Sequence, residues 1–273
     1  MRYWIAACLC AASLAGAALA QESVLRSLQT GVDASPWEAV GRLDVGGNGF
    51  CTGALIEPHL VLTAAHCLFD KSSGERIDHE SVEFLAGWRN GRASAYRKIR
   101  RAVVHPNYTY DGEVSSERVR NDIALLELDR PIRNTTVEPF RTATRPGRGD
   151  RIGVVSYARD RSDAPSLQEV CQVLALHEGV LVTSCSVDFG SSGAPIFTFS
   201  KGAALIVSVV SAKAEIDGRQ VSLGTDLTAP LAHLRAELDH GKTAYQNALP
   251  TVSRVVVGHD RTAMGAKFVK PEE

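Results

Sequence analysis

Short runs rich in Val, Ile and Leu, broken by Gly, Pro, Asn and Asp, recur along most of the 273-residue chain. They cover Glu38 to Val45, Ala54 to Leu62, Val82 to Trp88, Arg97 to Val104, Asp122 to Leu128, Arg151 to Tyr157, Gln168 to Leu176, Val180 to Ser184, Pro195 to Thr198, Ala203 to Val210 and Gln220 to Leu223. Runs of this length between turn formers are the pattern of strands. They fall into two groups, separated at Thr135 to Asp150 by a connector containing Pro, Gly and Arg, so the chain reads as all-β with two packed groups of strands. One stretch has a different period. Leu231, Ala232, His233, Leu234 and Leu238, within Thr228 to His240, lie at helical spacing with Pro230 near the first turn. This predicts a helix that stops at Gly241.

The two ends differ from the middle. Arg2, an alanine-rich apolar stretch from Ile5 to Leu19 and the closing Ala18-Leu19-Ala20 read as a secretory signal peptide over residues 1–20, cut before Gln21. The apolar stretch is short for a bilayer span, so no membrane anchor is expected once it is removed. Residues 21–31 form an N-terminal segment. Residues 241–273 read as a polar, loosely attached extension with Ser253 to Val257 as a candidate strand. The 30 Lys and Arg nearly balance the 31 Asp and Glu, and they are scattered, so no footprint for nucleic acid or an anionic membrane is present.

With Cys8 and Cys10 discarded in the signal, Cys51, Cys67, Cys171 and Cys185 remain. An even number in an oxidising compartment predicts disulfides and a secreted or periplasmic protein. Metal binding is the competing reading, but no C-x-x-C spacing supports it, and no metal or cofactor is expected. Four cysteines allow three pairings. One pair has a register argument. If Val170 to Leu176 and Val180 to Cys185 are strands joined by His177-Glu178-Gly179, pairing Leu176 with Val180 sets Cys171 opposite Cys185.

Three segments carry chemistry: Leu62-Thr63-Ala64-Ala65-His66-Cys67, then Asn121-Asp122-Ile123-Ala124-Leu125, then Gly190-Ser191-Ser192-Gly193-Ala194-Pro195. A serine hydroxyl needs an imidazole within reach to take its proton during acyl transfer. His66 fits that base, and Asp122, followed by an apolar run, fits the buried carboxylate that orients it. Ser192 lies among small residues, where a turn can aim the N–H groups of Gly190 and Ser192 at one developing oxyanion. Activity is then expected to rise with pH as the imidazole loses its proton.

At these residues the chain resembles the trypsin and chymotrypsin family of serine peptidases, in style closest to bacterial trypsin-like and glutamyl-endopeptidase-like members. The order His, Asp, Ser is the family's own. Pro36-Trp37, Cys51-Thr52-Gly53-Ala54-Leu55-Ile56, Val103-Val104-His105-Pro106-Asn107-Tyr108, Leu167-Gln168-Glu169-Val170 and Val209-Val210-Ser211 also look like its landmarks, so the resemblance covers about residues 32 to 240. It implies two six-stranded antiparallel β-barrels with a C-terminal helix, the first barrel over about 32–134 and the second over about 150–240, with the active cleft between them. It also implies a Cys51 to Cys67 bridge, a monomer and a polypeptide substrate. The function so implied is a secreted serine endopeptidase; the alternative is a catalytically silent binding protein on the same fold.

Two departures matter. Animal members place before the nucleophile an aspartate that pairs with a new N-terminal amine, and here Ser191 stands there, so activation by a freed N-terminus is not expected. Six residues before the nucleophile, where trypsin-like members hold an aspartate, stands Ser186. On the opposite pocket wall Ser211 matches the family, while Ala212 and Lys213 replace an aromatic and a glycine. Ser186, Ser211 and Lys213 are the candidate substrate-binding residues. Lys213 fits an acidic side chain, but Val210 stands where glutamate-specific members hold a histidine, and residue preference stays open.

Overall fold

The computed structural model describes residues 22–47, 49–111 and 114–248, with the backbone alone from 242 to 248. The signal peptide, the cut before Gln21 and the candidate strand Ser253 to Val257 lie outside the described residues. Two compact units divide at Leu238. The first holds both groups of strands, and of the second the described part is the end of a helix.

Chain order begins with β1 (Arg26–Ser27) and a single helical turn, α1 (Gly31–Ala34). Six strands follow: β2 (Val40–Val45), β3 (Phe50–Glu57), β4 (Leu60–Thr63), β5 (Val82–Ala86), β6 (Ala95–Val104) and, after α2 (Ser116–Asn121), β7 (Ala124–Leu128). They close into an antiparallel barrel in the order β2-β3-β4-β7-β6-β5. The second group is β8 (Arg151–Ala158), β9 (Arg161–His177), β10 (Val180–Thr183), β11 (Pro195–Ser200), β12 (Ala203–Ile216) and β13 (Arg219–Asp226). Its neighbours run β9-β10-β13-β12-β11-β8, and β8 pairs β9 again, which makes a ring with β1 added on the outer edge of β9. The helix α3 (Thr228–Ala248) follows.

The run Ala54 to Leu62 is two strands and not one. Glu57 pairs with Leu60 across the tight turn at Pro58 and His59, where proline cannot donate to a ladder. The helix likewise passes through Gly241 and continues to Ala248, the last described residue. A glycine inside a helix costs about 1 kcal/mol relative to alanine, too little to stop a helix whose next residues include Lys242, Ala244 and Gln246.

Three apolar clusters hold the fold. One fills the first barrel around Leu43, Leu55, Val61, Phe84 and Leu126. Another fills the second around Ile152, Val173, Ile196 and Val207. The third joins Leu62, Ile123 and Leu125 of the first barrel to Val155, Tyr157, Phe197 and Ile206 of the second and to Leu231, Leu234 and Leu238 of α3. Because β7 is covered from both sides, all five of its residues are buried, including the carboxylate of Glu127, which pairs with Arg100 and Arg101. Trp37 anchors the shared cluster, edge-on to Phe197 with ring centroids 5.2 Å apart.

Both disulfides form, Cys51 with Cys67 and Cys171 with Cys185. The register by which the second pair meets differs from the sequence argument. Val180 pairs with His177, so the turn has two residues, and a bulge between Val182 and Thr183 shifts the ladder to Thr183 opposite Val173. That one-residue shift returns the strands to the register that sets Cys171 against Cys185.

The helix α3 lies against the first barrel through Leu231 and Leu234 and through a hydrogen bond from Arg101 Nη2 to the Leu238 carbonyl at 3.1 Å. Beside it the rings of His105 and His233 are 5.6 Å apart, in a recess that also holds Arg120 and Asp226, and Glu237 lies 3.8 Å from His233. Burial, and then the charge of His233, hold His105 below the usual imidazole range. The unfolded chain therefore takes up this proton first as pH falls, and folding stability is lost from the ordinary imidazole range downward, with no effect at higher pH. His105→Asn keeps an acceptor for the Asn107 N–H, which now bonds His105 Nδ1 at 3.3 Å, and removes the titration. Denaturant midpoints at mildly alkaline pH and at pH near 5 are expected to differ less in this variant than in the wild type, and an equal difference contradicts the reading.

Candidate active site

His66 sits in a short 3₁₀ turn, Ala65–Leu68, directly after β4. Asp122 follows α2 and precedes β7, with its N–H bonded to the Val119 carbonyl at 3.2 Å. The buried strands β4 and β7 are neighbours, pairing Leu62 with Leu125, and this brings the two loop residues together across 56 positions of sequence. Asp122 is 1% exposed. Its Oδ1 accepts the His66 backbone N–H at 2.8 Å, and its Oδ2 lies 2.7 Å from His66 Nδ1 and accepts the Ser211 hydroxyl at 2.5 Å. A carboxylate at Nδ1 assigns the proton to that nitrogen, so Nε2 is left as the acceptor. Nearby, burial and then the negative charge of Asp122 push the Tyr108 hydroxyl upward, so that phenol stays neutral.

Ser192 and His66 share two recesses. A smaller one of about 190 Å³ includes Phe50, the Cys51 to Cys67 bridge, Phe69 and Lys71. A larger one of about 400 Å³ includes Val187, Asp188, Phe189, Val210, Ser211, Ala212 and Lys213. Among the described residues no hydrogen bond joins Ser192 Oγ to His66; such bonds are commonly long before substrate is bound and tighten on the reaction path.

The turn at Ser192 has a specific pattern of backbone bonding. Ser191 N donates to Asp188 O at 2.8 Å, Gly193 N to Val210 O at 2.7 Å and Ala194 N to Ser191 O at 2.9 Å. Among the described residues nothing accepts from the N–H of Gly190 or of Ser192. Buried backbone donors are almost always paired, so two unpaired N–H groups flanking Ser191 at the mouth of the cleft are donors free for a bound atom.

Of the substrate-binding candidates, Ser211 and Lys213 line the larger recess and Ser186 does not. Ser186 is exposed and its N–H donates to Gln168 Oε1 at 2.7 Å. Lys213 Nζ lies 3.9 Å from Asp188 Oδ1, with both side chains about half exposed at 41% and 50%. Cys51, Cys67 and His66 bring their donor atoms within 4.8 Å of one another, but the sulfurs are bonded to each other and His66 Nδ1 to Asp122, so the group is not a vacant ligand set.

Sequence reasoning missed the residues that hold the site from behind. Thr52, on β3, donates its hydroxyl to Gly190 O at 2.9 Å and its N–H to Ser192 O at 2.8 Å, and accepts from Tyr157 N at 3.1 Å. Thr225, on β13, donates its hydroxyl to Val119 O at 2.6 Å and is 3.2 Å from Asp122 O. Each side chain crosses from one barrel to the other. A buried threonine inside a strand carries no sequence mark of that task.

Two antiparallel barrels with a buried carboxylate, an imidazole and a serine at one cleft define a double-barrel fold of the serine peptidase type. The model of the family described as Trypsin matches residues 29–220, and the chain belongs to that family. It is 26% identical over 173 residues to a glutamyl endopeptidase of Bacillus licheniformis, covering 63% of this chain and 52% of that protein. It is 30% identical over 122 residues to the CLIP domain-containing serine protease HP8 of Bombyx mori, covering 40% of this chain and 32% of that protein. The chain thus spans about half of the first relative and a third of the second. A solved structure of a Glu endopeptidase in complex with MPD superposes with a TM-score of 0.64 at 18% identity, over 80% of this chain and 96% of that one, a likeness of fold. Among the described residues no helix is long and apolar enough to cross a membrane.

Proposed function

We infer that this protein is a serine endopeptidase, secreted after removal of residues 1–20, that hydrolyses polypeptides through an acyl-enzyme on Ser192. The peptidase domain is residues 32–240. The observation that carries the reading is the buried carboxylate of Asp122, which takes both His66 N–H groups and so leaves Nε2 as a base in the cleft it shares with Ser192. His66 Nε2 takes the hydroxyl proton as Ser192 Oγ attacks the scissile carbonyl carbon. The resulting oxyanion is met by the N–H groups of Gly190 and Ser192. His66 returns the proton to the leaving amine, and a water activated by the same imidazole releases the acid and restores Ser192. Asp122 stays ionised throughout and balances the imidazolium. The two disulfides fit an oxidising compartment.

The larger recess, with Ser211 and Lys213 on its wall, is where the side chain before the cleaved bond is held. A named relative is a glutamyl endopeptidase, and Lys213 is a cation suited to an acidic side chain, although Asp188 faces it. A cleavage profile on a peptide library decides this preference. The reaction itself is tested by a fluorophosphonate, which phosphonylates only an activated serine. The mature protein is expected to take up one label at Ser192, and the Ser192→Ala variant none. A folded, disulfide-intact protein that never labels overturns the reading and favours a binding protein on the same fold.

A further inference from the structure

The segment Phe189 to Ser191 of the nucleophile turn rests on the tip of the β8–β9 hairpin. Ala158 pairs with Arg161 there, leaving Arg159 and Asp160 as the turn. Arg159 N donates to Phe189 O at 2.8 Å, and its guanidinium lies 5.2 Å from the centre of the Phe189 ring. Arg161 points inward. Its Nη2 donates to Ser156 Oγ at 3.2 Å and reaches Ser191 Oγ at 3.5 Å, while the two hydroxyls lie 3.1 Å apart. Ser156 and Ser191 are both fully buried. Ser191 Oγ also accepts the Asp188 N–H at 3.3 Å.

A guanidinium in this position is costly. Its side chain is 17% exposed, its carboxylate partner Asp160 is 73% exposed and on the surface, and its Nε has no acceptor among the described residues. Desolvating a cation without a buried counter-charge is unfavourable, so its position points to a task at what it touches. It touches the hydroxyl of Ser191, the residue between the two unpaired N–H groups. The Ser191 hydroxyl is held by Arg161, by Ser156, by the Tyr157 carbonyl at 3.2 Å and by the Asp188 N–H. Its N–H and carbonyl are each bonded within the same turn.

We propose that Arg161 is a positioning residue which, through the hydroxyls of Ser156 and Ser191, fixes the turn that presents the Gly190 and Ser192 N–H groups to the oxyanion. The inference rests on the peptidase reading above. The brace is built from the chain's own hairpin and involves no freed N-terminal amine. Because the oxyanion exists only after Ser192 has attacked, a loosened turn weakens transition-state binding and leaves substrate binding largely intact.

The test compares the mature wild type with Arg161→Met, which keeps the aliphatic stem and removes the fork, and with Arg161→Lys, which keeps the charge. kcat and KM are measured separately on a peptide ester, together with inhibition by a peptide aldehyde, whose adduct with Ser192 places an oxyanion on the same N–H groups. Arg161→Met is expected to lower kcat about tenfold or more, with KM within about threefold, and to weaken the aldehyde by a factor similar to the loss in kcat. Arg161→Lys is expected to recover part of both. If Arg161→Met does not fold, Ser191→Ala, which deletes the hydroxyl through which the guanidinium acts, is expected to show the same split. An unchanged kcat in a folded Arg161→Met, or in Ser191→Ala where the former fails to fold, overturns the proposal and leaves the peptidase reading standing. A rise in KM with kcat retained also overturns it. A wild type that neither labels nor turns over ester removes the peptidase reading, and this proposal with it.

Discussion

Replacing either Ser192 or His66 by alanine is expected to lower kcat by about 10⁴-fold or more, and the double variant is expected to lose little beyond the single ones. Non-additivity of that kind marks residues acting as one unit, since without the base the hydroxyl is a weak nucleophile and without the hydroxyl the base has no proton to take. Asp122→Asn is expected to fall in the same range by a different route. The carboxylate accepts from His66 N, His66 Nδ1 and Ser211 Oγ. An amide at that place presents N–H₂ to at least one of these donors, which turns the imidazole to the wrong tautomer or breaks the contact. The fold should survive all three, with Asp122→Asn the most costly at about 1–3 kcal/mol for disturbing buried hydrogen bonds. The measurement is single-turnover hydrolysis of an activated ester beside the thermal midpoint of each purified variant. His66→Ala with kcat within about tenfold of wild type would sink the assignment of the base.

The parts of this site legible in the sequence are those whose chemistry leaves a local mark. His66, Asp122 and Ser192 each sit in a short motif, and the buried run of β7 after Asp122 reads directly as an apolar segment. The N–H groups of Gly190 and Ser192, which lack an acceptor among the described residues, were singled out from the small residues around Ser192. What was not legible depends on contacts made across the molecule. Thr52 and Thr225 hold the site by crossing between barrels, yet in sequence each is one more strand threonine. Arg161 reads as one of many scattered surface cations. Only its packing under the turn, against Ser156 and Ser191, separates it from Arg159 two positions earlier.

The same distinction runs through the fold. Periodicity located most strands of both barrels but merged β3 with β4, because the turn at Pro58 and His59 interrupts an otherwise apolar stretch for only two residues. It extended α3 too short a distance, because a glycine is a weak stop where the following residues favour helix. In the β9–β10 hairpin, the correct cysteine pair came from a register one residue out at the turn. The bulge that repaired it has no signature in composition. A period of two specifies which face a residue takes but not where a ladder slips.

Gly193→Ala is expected to cost about 3–5 kcal/mol of folding stability, at the upper end of single substitutions, and to remove most activity in whatever folds. Gly193 has a φ of +74°, and a Cβ there would meet the Thr63 hydroxyl, the Thr52 carbonyl and, at 2.8 Å, the Ala64 nitrogen. Thr63 and Ala64 lie just before the His66 turn and Thr52 holds the nucleophile turn, so the neighbours that would have to move are the backbone of the site itself. Left-handed backbone accounts for only about 1–2 kcal/mol of the loss, and the remainder is steric. A control separates the two contributions. Gly202, in the turn between β11 and β12, has a φ of +79°, and a Cβ added there would have nothing within 4 Å, so Gly202→Ala should lose only the backbone share and keep its activity. Denaturant unfolding of both variants, followed by ester turnover, reads the difference. If the two lose equal stability, close approach at Gly193 is not what the site requires. If Gly193→Ala keeps wild-type kcat, the nucleophile turn tolerates a shift that its hydrogen bonds to Val210 and Thr52 should forbid.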